Sequence, residues 1–397
     1  MKILVINAGS SSLKYQLIEM ENENVIAKGL CERIGVGGNI VHTTSSGKVQ
    51  YEASFPTHQE AFQELVKLLT TGDVAVLKDI GEIAAVGHRI VQGSDRFSRS
   101  ALITDEMLAA VESFTDLAPL HNPANIMAIR ACTKVFGSNL PQVAVFDTSF
   151  HQTLPEKAFI YPIPYEFYEK YRIRRYGFHG TSHRYVSARA AELIGRPLDE
   201  LKLITCHLGN GSSVAAVDGG RSVDTTMGLT PLEGLGMGTR SGSIDPSIVT
   251  FLMEKEGLDI KGINDILNKK SGYLGVSGLT NDLRDLTDAA EKGHCRAALT
   301  LDILGYQLLK YIGSFAAAMG GVDAVIFTGG IGENSALVRS KALSGLGFIG
   351  LEVDEEINEG VFSREVLISK PGKVQAWVVP TNEELVIARD TKMVTGQ

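Results

Sequence analysis

The sequence predicts an α/β fold in two similar halves, and three observations predict it. Apolar runs of strand length recur at Ile3–Ile6, Ile83–Val91, Val143–Phe146, Leu201–Cys206, Asp323–Phe327 and Val374–Val379. Segments with helical apolar spacing lie between them. A strand, a polar Gly/Ser/Asn turn and a returning strand occur twice, at Ile3–Ile18 and at Leu201–Val217.

The elements follow in order. Ile3–Ile6 ends at Asn7-Ala8-Gly9-Ser10-Ser11-Ser12, a turn, and Lys14–Ile18 returns. Thr57–Leu69 places Ala61, Phe62, Leu65, Leu68 and Leu69 on one helical face. Asn125–Val135 reads as a helix behind Pro123. The second half opens with strand Leu201–Cys206, the turn His207–Ser213, the return Val214–Val217 and the stop Asp218-Gly219-Gly220. Cys295–Met319 reads as a long buried helix. Strand Asp323–Phe327 leads through Thr328–Gly332 into a helix at about Glu333, and Glu383–Lys392 is the last helix, with Thr381 as its N-cap.

The chain has 397 residues, enough for two or three domains at about 150 each. Hydrophobic residues at 44% and charged residues at 21% exclude a disordered, collagen-like or membrane-bundle class. With 38 Lys+Arg against 46 Asp+Glu, the net charge is −8, which does not favour nucleic acid or an anionic membrane as partner. The N-terminal apolar run stops at Asn7, too short for a signal peptide, and no run reaches the ~18 residues of a membrane span. The four cysteines form no CxxC pair, so reduced thiols in a cytoplasmic protein are expected.

Two familiar nucleotide motifs are absent or false. Gly47-Lys48 and Gly372-Lys373 are each followed by Val, so there is no P-loop. Gly345-Leu346-Gly347-Phe348-Ile349-Gly350 has the GxGxxG spacing but follows a helical stretch, and reads as a helix stop with a turn.

What remains is a set of anion-friendly clusters. In Asn7–Lys14, small residues let backbone N–H groups approach an anion, the Ser10 and Ser12 hydroxyls add donors, and Lys14 adds charge. The alternative is a plain turn with a surface lysine. Arg89 stands in an apolar strand pattern and needs an anion, either an internal carboxylate or a substrate. Asp147 ends the run Val143–Phe146, where open α/β sheets place active-site groups and where a helix cap is equally common. Arg174–His183 offers two arginines and two histidines, His179 and His183, at a helix start, favouring an anion over a metal. Gly234–Pro246 presents Arg240 among glycines, suited to a mobile phosphoryl clamp or to a surface loop. Thr328–Asn334 is a glycine turn that a flat nucleotide can approach, and Thr381–Glu384 offers carboxylates for a cap or for Mg²⁺. Together this is an inventory for Mg²⁺-dependent phosphoryl transfer without a P-loop.

These strings, with Ala118–Pro123, Phe146–His151 and Thr381–Leu385, occur in one order over nearly the whole chain, and the sequence resembles the acetate/propionate kinase family. The resemblance implies two duplicated ribonuclease-H-like, actin-like ATPase domains flanking a nucleotide cleft. The domains would span 1–150 and 151–382, with 383–397 returning to the first. It implies a homodimer joined through the C-terminal half, acetate and ATP/ADP as substrates, and Mg²⁺ or Mn²⁺ as cofactor. By the same resemblance, Asn7 and Glu383 match metal-associated positions. Lys14, His207, Leu208, Gly209, Asn210, Gly211, Asp282, Leu283, Arg284, Gly330, Ile331, Gly332, Glu333 and Asn334 match ATP-contacting ones. Arg89 matches the substrate-carboxylate contact, Asp147 the catalytic Asp, and His179 and Arg240 the transition-state stabilisers. Val91, Leu120, Phe178 and Pro231 match the pocket for the substrate methyl.

One departure is visible: Gln92-Gly93-Ser94 stands where the family usually has His-Gly-Gly, next to Arg89 and Val91. A propionate kinase is the nearest alternative. A nucleotide-gated binding protein of the actin type would keep the phosphate turns without needing Arg89, His179 and Arg240. A metal-dependent hydrolase would use His179 and His183.

Overall fold

In a computed structural model that describes residues 1–119 and 121–396, the chain divides into two compact units. Unit 1 comprises Met1–Ser149 and Asn382–Gln397, and unit 2 comprises Phe150–Thr381.

Unit 1 is built on an eight-stranded sheet. Its strands are β1 (Lys2–Ala8), β2 (Ser12–Glu19), β3 (Asn24–Glu32), β4 (Asn39–Thr44), β5 (Gly47–Glu52), β6 (Ile83–Ile90), β7 (Ala101–Leu102) and β8 (Gln142–Phe146), in the order β5-β4-β3-β2-β1-β6-β8-β7. The first five form an antiparallel meander, whereas β6 pairs parallel with β1 and β8 parallel with β6. Unit 2 repeats the plan with six strands, β9 (Lys202–Leu208), β10 (Ser212–Asp218), β11 (Arg221–Thr225), β12 (Ala324–Thr328), β13 (Val366–Leu367) and β14 (Gln375–Val378). Here β9, β10 and β11 form the meander, and β12 pairs parallel with β9 and β14 parallel with β12. The expected ribonuclease-H-like duplication is therefore present in the strand order: a meander whose first strand is also the first of a parallel set.

Burial explains why the parallel strands were easy to read. Ala324–Thr328 and Gln142–Phe146 are buried along their whole length, so they appear as continuous apolar runs. Strands β3, β4 and β5 lie toward the meander's edge with polar faces, and no apolar run announced them. Two cores cover the faces of the first sheet. Leu4, Ile6, Leu13, Phe62 and Leu65 belong to one, and Ile3, Val5, Val143, Val145, Ile387 and Ala388 to the other. In unit 2 the helix Cys295–Met319 lays Leu301, Leu304, Leu308 and Ile312 on the sheet. The helix has the predicted bounds and buries one face along its length, while Leu299 and Tyr306 are exposed on the other.

Three boundaries also differ. The helix predicted from Asn125 begins at Asn122, because Pro123 sits in its first turn, where a missing N–H costs nothing. The helix after β12 begins at Gly329 rather than Glu333. The last helix, Glu383–Thr395, is capped by Asn382, whose side chain accepts from Leu385 N, and not by Thr381. The segment Gly345–Gly350 is a helix end with a short 3₁₀ turn, as its context indicated.

Candidate active-site residues

The two strand–turn–strand units are the matched features of the two halves. In unit 1, residues 9–11 join β1 to β2, and Gly9 N donates to Ser12 O at 2.9 Å. Asn7 pairs with Lys14 across this hairpin. Ser10 and Lys14 are exposed and Asn7 and Ser12 half-buried, so the turn's polar groups reach solvent. In unit 2, residues 209–211 join β9 to β10, and Ser212 Oγ donates to Gly209 O at 3.0 Å. Asn210 is exposed at its tip, while Leu208 is part of the core, so Leu208 offers a ligand only its backbone.

Arg89 and Asp147 meet in unit 1 as the ends of the adjacent parallel strands β6 and β8. Arg89 Nε donates to Asp147 Oδ1 at 2.8 Å and Nη2 to Oδ2 at 2.7 Å. Asp147 is thus Arg89's internal carboxylate and not a helix cap. Burial works against the Arg89 charge. The Asp147 carboxylate outweighs it, Glu383 and Glu384 add to the field, and the net shift is upward, so the guanidinium stays charged. Two of its five N–H groups are committed to Asp147, and the Nη1 pair remains for a second anion. Lys14 Nζ is paired with Glu384. The sequence offered Glu384 only as one of the first-turn carboxylates of the last helix, for a cap or for Mg²⁺, and did not show its pairing with Lys14.

Asn7, Glu383 and Glu384 offer hard oxygen donors. Among the described residues no three His, Cys, Asp or Glu side chains form a ligand cluster. Hard oxygen donors of this kind fit Mg²⁺ or Mn²⁺ held through one or two protein oxygens, water and substrate phosphate.

In unit 2, His179 occupies the N-cap of helix Gly180–Ile194 with a left-handed backbone, φ 57°. Its ring stacks on His207 with centroids 4.2 Å apart, and its Nδ1 lies 2.8 Å from Ser213 Oγ. His207 Nδ1 lies 2.8 Å from Ser182 Oγ. His183 is buried, with both ring nitrogens on hydroxyls, Thr205 Oγ1 at 2.7 Å and Ser213 Oγ at 2.8 Å, so it is a supporting residue and not a metal ligand. Ser213 went unassigned because alternation along β10 does not reveal which hydroxyl faces a histidine.

Arg240 has no carboxylate partner among the described residues. Its Nη1 donates to Pro231 O at 3.2 Å and approaches Met237 Sδ. Burial pushes its pKa below the usual arginine range. The glycines around it lie in close contact with their neighbours. Gly236 N donates to Gln307, Ser241 N to Leu267 O, and a Cβ on Gly238 would lie 2.7 Å from Asn210 Oδ1. These contacts place the loop beside the turn at residues 209–211. A Cβ on Gly211 would meet both Arg240 Nη1 and His179 Nε2 at 3.5 Å, so these two groups face one point above the turn.

The remaining expected contacts are mixed. Gly329, at φ +76°, lies so close to Leu208 that a Cβ would sit 2.7 Å from its carbonyl oxygen. Glu333 turns back on that turn, accepting from Gly329 N at 2.9 Å and Thr381 N at 3.3 Å, so its carboxylate is structural. Asn334 Nδ2 donates to Gly330 O, and Ile331 and Gly332 are half-buried and buried. Asp282 caps the helix Leu283–Glu291 and pairs with the exposed Arg284, while Leu283 is in the core. Val91 and Pro231 are half-buried and Phe178 is buried; Leu120 lies outside the described residues. Gln92 is buried, with its Oε1 accepting from Ser94 N at 2.9 Å, and this supports Ser94 at φ 55°.

A model of the acetokinase family matches residues 2–389. The acetate kinase of Thermoanaerobacter pseudethanolicus is 56% identical over 400 residues, covering 100% of both chains. Among solved structures, Porphyromonas gingivalis acetate kinase superposes with a TM-score of 0.95 at 48% identity, covering 99% of each chain. A propionate kinase from Francisella tularensis superposes with a TM-score of 0.93 at 41% identity, also over 99% of each. Among the described residues, no helix is long and apolar enough to cross a membrane.

Proposed function

The chain belongs to the acetokinase family, and from that premise we infer that it transfers the γ-phosphoryl group of ATP to acetate, reversibly, giving acetyl phosphate and ADP. The observation that carries this is the end-to-end likeness to acetate kinases at 56% identity. The residues supply a consistent chemistry. Acetate is already ionised at neutral pH, with a carboxyl pKa of about 4, so no general base is needed. Asp147 instead orients Arg89 through its two hydrogen bonds, and the free side of the guanidinium holds the acid for in-line attack. His179 Nε2 and Arg240 face the equatorial oxygens of the phosphoryl group, where charge spreads in the transition state.

Lys14 with Ser10 and Ser12, the turn His207–Gly211, Asp282–Arg284 and Gly330–Asn334 are the groups we assign to ATP. Leu208, Leu283 and Glu333 contribute through backbone only. Asn7 and Glu383 would hold Mg²⁺ or Mn²⁺, which neutralises phosphate charge when bound. Val91, Leu120, Phe178 and Pro231 are assigned to the substrate methyl. The four cysteines are all unbridged, which supports a reducing compartment such as the cytoplasm, where ATP is available. The helix Ser247–Glu256 buries none of its residues and exposes Ile248 and Phe251, which supports a homodimer formed through unit 2; light scattering would test it.

A second reading, propionate as the preferred acid, is favoured by the likeness to the Francisella enzyme. Hydroxylamine trapping with ATP, Mg²⁺ and acetate, propionate or butyrate decides. Acyl hydroxamate with highest kcat/KM for acetate is expected. A propionate maximum would install the second reading, and no hydroxamate from any acid would remove both.

A further inference from the structure

Behind His179 lies a line of hydrogen bonds that the phosphoryl-transfer chemistry does not itself require. His179 Nδ1 is 2.8 Å from Ser213 Oγ, Ser213 Oγ is 2.8 Å from His183 Nε2, and His183 Nδ1 is 2.7 Å from Thr205 Oγ1. Ser213, His183 and Thr205 are all buried. The direction of the line can be worked out by counting hydrogens. Thr205 has one hydroxyl hydrogen and, among the described residues, its hydroxyl meets only His183 Nδ1. A buried O–H without an acceptor costs more than an unused lone pair, so Thr205 donates to Nδ1. His183 is held neutral, burial pushing its pKa well below the usual histidine range and the neighbouring His151 and His207 adding to the shift. Its single ring hydrogen therefore sits on Nε2 and is donated to Ser213 Oγ. Ser213 passes its own hydrogen to His179 Nδ1, which must then carry the lone pair.

We propose that Thr205, His183 and Ser213 form a directional hydrogen-bond relay that fixes His179 as the tautomer with its hydrogen on Nε2, so that His179 donates to the phosphoryl group as a neutral ring. The opposite direction would strand the Thr205 hydrogen and would turn a lone pair at Nε2 toward the phosphate oxygens. Nε2 is the nitrogen that shares the space above Gly211 with the Arg240 guanidinium. Which ring nitrogen of a histidine carries hydrogen is set by the bond its other nitrogen makes, and here that bond comes from Ser213. The three are positioning residues, and the proposal rests on the transition-state role assigned to His179.

The test uses the full chain labelled with ¹⁵N-histidine. Ring NMR should show His179 with hydrogen on Nε2, and Ser213→Ala should lose that preference. In the same variant kcat should fall about tenfold, the scale of one hydrogen bond, with KM for ATP little changed. Thr205→Val, which keeps side-chain shape, should act in the same direction, and Thr205→Ser should restore both tautomer and rate; this pair serves if Ser213→Ala does not fold. A His179 with hydrogen on Nδ1 in the unaltered chain would overturn the proposal, as would unchanged kcat and ring signals in Thr205→Val. Full activity in His179→Ala would instead overturn the role of His179 itself.

Discussion

Arg240 is a half-buried guanidinium that donates to the Pro231 carbonyl and has no carboxylate partner among the described residues, which leaves N–H groups for the phosphoryl group we assign to it. Arg240→Ala is therefore expected to lower kcat by at least about a hundredfold, the scale for removing one preorganised electrostatic group. Hydroxamate formation measures it, and circular dichroism confirms that the fold is kept; near-normal turnover would remove Arg240 from the chemistry. Arg89 differs because its counter-ion is already present. Asp147→Asn keeps the shape but removes the charge that aligns the guanidinium, so both kcat and the affinity for acetate should drop while ATP binding, measured by calorimetry, is retained. Val91, half-buried two residues beyond Arg89, tests the acid pocket. Val91→Ala should raise kcat/KM for propionate relative to acetate, by at most ~1–3 kcal/mol for one methylene. An unchanged ratio would take Val91 out of the pocket.

At the scale of elements, the glycine-rich loop and the last helix make opposite demands. A Cβ on Gly238 would press on the Asn210 side-chain oxygen at 2.7 Å, so Gly238→Ala must turn the Asn210 side chain away from its place at the tip of the β9–β10 turn. The expected result is a raised KM for ATP with little loss of thermal stability; a variant with native KM would show that the turn tolerates displacement. Asn382 caps Glu383–Thr395 through Leu385 N, and Asn382→Ala should lower stability by ~1 kcal/mol, read from urea unfolding. The sequence pointed to Thr381 for that cap, because both residues are good caps and only backbone dihedrals choose between them. The same limit explains what was legible. Parallel strands buried on both faces, the two polar turns and the pairing need of Arg89 were all visible as pattern and charge. Strands β3 to β5, the inward turn of Glu333 and the place of Ser213 depend on which face a residue takes after folding. Glycines in Gly234–Pro246 suggested freedom because sequence shows a missing side chain but not the neighbour that requires it to be missing.

Across the whole molecule, both units bury histidines in neutral form, which ties stability to pH. His88 in unit 1 has its pKa pushed down to about 4 by burial, and His151 in unit 2 likewise to about 4, while His183 is also driven down. In the unfolded chain each titrates near 6.5. Above about pH 7 all are neutral in both states and contribute no pH dependence. As pH falls from 6.5 toward 4 the unfolded chain takes up protons that the folded chain refuses, so acid favours unfolding. His88 and His151 should each remove roughly 2 kcal/mol by pH 5, from the difference between 6.5 and about 4. Urea midpoints measured at pH 7.5, 6 and 5 should therefore fall steeply over the last interval. His88→Gln, which cannot take up a proton, should make that slope shallower by one proton. A midpoint that stays level to pH 5 would mean that these histidines accept protons in the folded state, and that the burial enclosing them is looser than their hydrogen bonds to Gln142, Ser222 and the Phe178 carbonyl require.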